Sequence, residues 1–347
     1  MTPLLIVTSE RFAWHQPPPG HPERPERQDV MHVVTARCQA RGATVREPEA
    51  ATDEQLRLVH TERYLASLAA TAGHAVMLDP DTFTSPESWD IARLAAGAAI
   101  GAVDGVLNGT AVRAAALVRP PGHHAGPSRA MGFCLVNNIA VAAAHALARG
   151  LSRVAIVDFD VHHGNGTQAV FESDPRVLVV SSHQWPYYPG SGQATEAGIG
   201  DGEGFTVNIP MEAGATDADY QLVFDRIVVP IVTEFDPALL LVSAGFDAHE
   251  LDPLGGMRMT EAGFASLTAS LVSVAQACCD RHVVMVTEGG YHAQALAASL
   301  DSSLRVLDGT SPPRDPVSGA QDAERTRRGE AAVARSRAVQ TRYWRGL

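Results

Sequence analysis

The sequence predicts a single α/β domain of three layers, with helices on both faces of a mostly parallel sheet. Short β-rich apolar runs alternate along the chain with Ala-rich amphipathic segments. The runs are apolar at successive positions, as strands covered on both faces must be. Polar clusters follow the runs, and in parallel sheets ligands sit at the carboxyl ends of strands.

The predicted strands are Leu4–Thr8, Ala115–Arg119, Val154–Phe159, Val177–Ser182, Phe205–Ile209, Leu239–Ser243 and Val283–Thr287. The predicted helices are Pro86–Leu107, Asn138–Arg149, Asp217–Glu234 and Thr260–Asp280. Neither an internal repeat nor a linker divides the chain. Residues 1–310 read as the catalytic domain and 311–347 as a basic tail forming a peripheral helix. The segment Ser311–Arg328, rich in Pro, Asp and Arg, marks the end of the compact domain.

The chain has 347 residues, is 45% hydrophobic and carries a net charge of −12. That charge argues against direct nucleic-acid binding and suits a cationic substrate. No run approaches the roughly 18 apolar residues of a membrane span. The start, MTPLLIVTSERF, lacks the basic and long apolar regions of a signal peptide, so a cytoplasmic protein is expected. Cys38, Cys134, Cys278 and Cys279 form no regular framework and read as reduced thiols. Homo-oligomerisation is left open.

The segment VDFDVHHGNGT, residues 157–167, ends a buried strand with two carboxylates and two imidazoles. Burying charge is costly unless it is paired or bound to a metal. Asp160 and His162 are spaced i, i+2, so on an extended segment they point the same way. Asp247, after another strand, is the natural third ligand. Two carboxylates, one imidazole and an open position suit water-activating zinc, with ferrous iron as the alternative. Binuclear hydrolases of the arginase type use Asp-x-His-x-Asp. Here Gly164 stands at the last position and His249 where another Asp is needed, so one metal is expected. His123 and His124, after Pro-Pro-Gly, have Asp158 and Asn165 as candidate partners. A ring facing a carboxylate is more basic; one facing an amide can stay neutral.

Together RPPGHHAG, MGFCLVNN, VDFDVHHGNGT, SAGFDAHELDPLGG and EGGY resemble the histone deacetylase and acetylpolyamine amidohydrolase superfamily. They come in family order over roughly residues 15 to 305. HPERPER and Asn165 resemble the class II branch, including its bacterial homologues; class I has Asp at that position. The resemblance implies an arginase/deacetylase-like fold. It implies zinc on Asp160, His162 and Asp247, His124 as general base and later acid, and His123 as its electrostatic partner. Asp158 would orient His123, Asn165 would face His124, and Tyr291 would donate to the acyl oxygen. Gly132, Phe133, Tyr188 and Leu254 would contact substrate, with Tyr188 replacing the usual Phe. Arg27 would lie in an interior cavity behind the metal. Potassium is implied at Asp158, Asp160, His162, Ser181 and Ser182. A second potassium is implied at carbonyls of Phe171, Asp174, Val177 and Phe205.

The reaction so implied is hydrolysis of an N-acyl amide. Polyamine-selective relatives carry an acid in the Asp-Pro-x-Gly turn; here that position is Leu254, which favours the aliphatic linker of acetyl-lysine. A small acetylated amine is the alternative substrate. A silent acyl-lysine-binding scaffold is the reading of another class, opposed by the complete set of site residues.

Overall fold

The structure is a computed structural model; it describes residues 3–311 and 326–347. Eight parallel strands form one sheet: β1 (Leu5–Thr8), β2 (Thr44–Arg46), β5 (Arg113–Leu117), β6 (Val154–Asp158), β7 (Val177–Gln184), β8 (Thr206–Met211), β9 (Leu239–Ala244) and β10 (Val283–Thr287). Their order is β2-β1-β5-β10-β9-β6-β7-β8. A separate antiparallel hairpin pairs β3 (Val76–Met77) with β4 (Phe83–Thr84).

Side chains of successive strand residues go to opposite cores. Ile6, Ala115, Val157, Val180 and Val242 join one cluster; Leu5, Ala116, Ile156, Val179 and Leu241 join the other. Helices Glu26–Ala40, Glu261–Cys278 and Ala293–Leu307 cover the first face, while Ser88–Leu107 and Asn138–Ala148 cover the second. Burial on both faces is why the runs are apolar throughout.

The expected strand Ala115–Arg119 begins and ends two residues earlier, because Arg119 and the prolines after it belong to the site loop. The expected helix Asp217–Glu234 contains a π-type turn at Phe224–Val228, just before Pro230. Proline has no N–H for the carbonyl four residues back, so the winding loosens there. The sequence reading passed over β2, the hairpin and, among the longer helices, Glu26–Ala40 and Ala293–Leu307.

Helix Arg327–Gln340 covers the outer edge of β8. Ser336 Oγ donates to Asn208 O, Gln340 Nε2 to Thr206 O and Trp344 Nε1 to Gly204 O. An edge strand's free carbonyls are thereby satisfied. Most of the Ser311–Arg328 segment lies outside the described residues. No helix among those described is long and apolar enough to cross a membrane.

Candidate active site

Five strand ends meet at one rim: the loops after β5, β6, β7, β9 and β10. Asp160 and His162 follow β6, and Asp247 follows β9. One ligand atom from each lies within 4.8 Å of the others. His162 Nδ1 is 3.1 Å from Asp160 Oδ1 and 3.2 Å from Asp247 Oδ2. Backbone N–H groups fix both acids: His162 and Gly289 donate to Asp160, and Val161 donates to Asp247. Asp247 Oδ2 is buried without a hydrogen-bond partner. A Cβ at Gly245 or Gly289 would collide with these carboxylates, so both glycines leave the acids their space.

Burial, then the Asp160 charge, raises the Asp247 carboxyl to about 7. Burial opposes ionisation of Asp160 too, but His123 and His162 hold it well below the usual range. Two buried acids, one with an oxygen lacking a hydrogen-bond partner, and an imidazole fit a divalent cation. Among the described residues this is the one such group of three. The two positions of the binuclear pattern stand apart from it: Gly164 lies against Asp158, and His249 accepts from Leu251 N and approaches Glu261.

His123 and His124 lie beside the cluster with ring centroids 4.0 Å apart. His123 Nδ1 is 2.9 Å from Asp158 Oδ2, and His124 Nδ1 is 2.7 Å from Asn165 Oδ1. Burial alone would lower the His123 pKa; Asp160 and Asp158 overcome it and raise it to about 10. Burial and then the His123 charge push His124 well below its ordinary value. His123 is therefore the more basic ring of the two and His124 the less basic. With its Nδ1–H given to the amide oxygen, His124 keeps Nε2 free as a proton acceptor.

A cavity of about 190 Å³ leads down to these groups. Gly132, Phe133, Tyr188, Leu254 and Tyr291 line it with His124 and His162. Gly132 passes so close to the His124 ring that a Cβ would overlap it. Asp252 couples two of the walls: Tyr291 N and His292 N donate to its Oδ2, and Leu254 N to its Oδ1. Burial raises the Tyr291 hydroxyl well above the phenol range, against the pull of Arg27, so it remains a donor.

Arg27 is buried with its guanidinium 5.0 Å over the Tyr291 ring. It donates to Gly290 O, Glu23 Oε1 and Glu288 O, and so clamps the loop that carries Tyr291. Asp158 pairs in register with Ser181 on β7, where Ser182 Oγ donates to Asp158 O. Phe171, Asp174, Val177 and Phe205 gather at the opposite, amino-terminal ends of β7 and β8. The carbonyls of Phe171, Asp174 and Phe205 each accept a backbone hydrogen bond there. His163, left without a role by the sequence, bonds Ser191 and Gln168.

Three site residues were missed. Asp81 and Tyr187 line the cavity. Glu288 is fully buried and accepts from Gly122 N, His123 N and Ser243 Oγ, bracing the turn that carries the two histidines. Glu288 stood in the quoted EGGY and Tyr187 beside Tyr188. Asp81 had no signal, since its neighbours are about fifty positions away.

Residues 21–307 match the histone deacetylase domain. A probable deacetylase of Archaeoglobus fulgidus is 42% identical over 290 residues, covering 82% of this chain and 80% of that protein. The polyamine deacetylase HDAC10 of Homo sapiens is 39% identical across 98% of this chain; the chain spans about half of it, 52%. The crystal structure of the HDA15 HD domain superposes with a TM-score of 0.90 at 35% identity, over 99% of this chain and 97% of that one. By domain match, sequence and fold alike, the chain belongs to the histone deacetylase family.

Proposed function

We propose that the protein is a zinc-dependent amidohydrolase that removes acetyl groups from lysine side chains. The observation that carries this is the cavity ending on His124, His162 and Tyr291, with the Asp160, His162 and Asp247 group, able to hold a metal ion, at its floor. Asp160, His162 and Asp247 would hold a divalent ion, which when bound would supply Lewis acidity for attack of water on the acyl carbonyl. His124 Nε2 takes the proton from water and later returns it to the leaving amine. Burial, and then the more basic His123 bonded to Asp158, favour the neutral form of His124 before that proton arrives. Tyr291 donates its hydroxyl hydrogen bond to the oxygen on which charge develops. Arg27 orients the Tyr291 loop. Potassium at the site of Asp158, Ser181 and neighbouring carbonyls and at the second, all-carbonyl site, and a cytoplasmic setting, belong to the same reading.

A second reading is deacetylation of a small polyamine. Asp81 favours it, because it places a carboxylate in the cavity wall where Leu254 offers none. The name of the human relative points the same way.

The test is kcat/KM of the zinc-loaded protein on an acetyl-lysine peptide and on acetylated putrescine or spermidine, with Tyr291→Phe as control. The lysine reading expects the peptide to be preferred. It also expects the variant to lose about 10²- to 10³-fold in kcat while keeping zinc. Preference for the polyamine would overturn the substrate assignment, and unchanged turnover by the variant would remove Tyr291 from the mechanism.

A further inference from the structure

We propose that Thr82 and Asp81, at the tip of the β3–β4 hairpin, are positioning residues that set the substrate wall formed by Gly132 and Phe133. The inference rests on the proposed reading of that cavity as the acyl-lysine site.

Gly132 and Phe133 have φ angles of 57° and 69°. This left-handed region suits glycine but is disfavoured for a side chain such as Phe. The turn is closed from within, Cys134 N donating to Met131 O at 3.0 Å and Met131 N to Cys134 O at 3.2 Å. Its two central N–H groups point away from those bonds and find their acceptors on the hairpin. Phe133 N donates to Thr82 Oγ1 at 3.1 Å, and Gly132 N donates to Asp81 Oδ1 at 3.2 Å. Thr82 Oγ1 donates in turn to Asp81 Oδ1 at 2.9 Å, closing a ring of donors and acceptors. Successive N–H groups turned the same way need such acceptors, and the hairpin tip supplies both.

The tip is itself fixed. Thr82 is 0% exposed and its carbonyl accepts from Leu78 N. Asp79 Oδ1 accepts from Asp81 N. His21 Nε2 donates to Asp81 O at 3.0 Å, and its ring packs edge-on to Phe133 with centroids 4.6 Å apart. Phe133 then meets Tyr291 at 5.7 Å and nearly perpendicular planes. The lateral position of the Phe133 ring, and hence the width of the cavity, is thus set by a turn about fifty residues earlier. The wall and the general base are coupled as well, since Gly132 lies directly against the His124 ring.

The test compares Thr82→Val, Thr82→Ser and the native chain, each zinc-loaded. Valine keeps the shape and removes the acceptor; serine keeps the acceptor. The expected result is about a tenfold loss of kcat/KM on an acetyl-lysine peptide for Thr82→Val, carried mainly by KM, the scale of one lost buried hydrogen bond. Thr82→Ser should restore native values, and metal content should be equal in all three. A crystal structure of Thr82→Val should show Phe133 out of the left-handed region. Native kinetics with Phe133 unmoved would overturn the proposal, as would a loss confined to kcat. If the native protein turned over no acetylated substrate, the functional reading would fail on its own. The Phe133 conformation would still decide whether the hairpin positions the wall.

Discussion

At the floor of the cavity Asp160 and Asp247 are 0% exposed and His162 is 9% exposed. On its wall Tyr187 and Tyr188 are 38% and 36% exposed. The floor groups grow out of β6 and β9, neighbouring central strands, and are fixed by backbone N–H donors. The wall groups come from separate loops, joined by side-chain contacts such as Thr82 to Phe133 and Asp252 to Leu254. A floor built this way has little room to adapt, so changes there should act as loss or retention of function. A wall built from loops should respond in degrees, and should govern which amide enters rather than how it is cleaved.

The strongest challenge to that contrast is removal of one floor carboxylate. Asp247→Ala takes away the acid whose Oδ2 has no other partner. The expected outcome is loss of stoichiometric zinc, read by elemental analysis, and a fall in kcat/KM of at least about 10³-fold, the scale of several kcal/mol of lost charge stabilisation. Zinc should raise the Tm of the native protein and not of the variant, because an ion that binds only the folded state stabilises by mass action. A variant that keeps one zinc per chain would show that Asp247 is not a ligand.

A smaller effect lies in the scaffold beneath the floor. His60 Nδ1 donates to Gly126 O at 3.0 Å, and its Nε2 accepts from Asn137 N at 3.0 Å. Asn137 caps the helix Asn138–Ala148 and holds Ala125 O, next to His124. Only the neutral ring can both donate and accept. Burial lowers the His60 pKa to about 4, against the pull of the Gly126 and Pro127 carbonyls. Above the unfolded value of 6.5 both states are neutral, and this part of the stability is fully present. As pH falls through 6.5 the unfolded chain takes a proton that the native ring refuses, so stability is lost progressively toward pH 4. The loss attributable to His60 is about 3 kcal/mol at most. His15 and His163 are lowered by burial to about 4 as well and add to the same decline. Tm should fall between pH 6.5 and 4, and His60→Gln should flatten the slope; an equal slope in the variant would remove His60 from the account.

The two regions also differed in how far the sequence revealed them. Asp158, Asp160, His162 and Asn165 lie in one short segment at the end of an apolar run, so spacing alone brought them together. The five strand ends needed only the rule that parallel sheets carry ligands at their carboxyl ends. Asp81 was invisible because nothing local marks a hairpin tip that reaches a loop fifty residues on. The π-type turn before Pro230 and the short strand β2 were missed because helix period and apolar runs cannot register them. Arg27 was singled out only through the resemblance; its contacts to Gly290, Glu23 and Glu288, which tie it to the Tyr291 loop, left no mark in the sequence.

The mildest test acts on the wall alone. Leu254 lines the cavity beside Tyr291, with its N–H held by Asp252. Leu254→Glu would add a second carboxylate to the cavity that Asp81 also lines. A distal ammonium would then be attracted by about 1 kcal/mol, as for a partly exposed ion pair, and less at high salt. The kcat/KM ratio of acetylated putrescine to acetyl-lysine peptide should therefore rise several-fold, mainly through KM, and the rise should shrink as salt is added. Zinc content and kcat on the peptide should stay close to native, because neither depends on the wall's charge. A fall in kcat on both substrates would mean that position 254 reaches the chemistry through Asp252 and Tyr291, and the division between floor and wall would fail there. An unchanged ratio would mean that Asp81 already saturates the attraction for a second ammonium, which would turn the choice of substrate toward the polyamine.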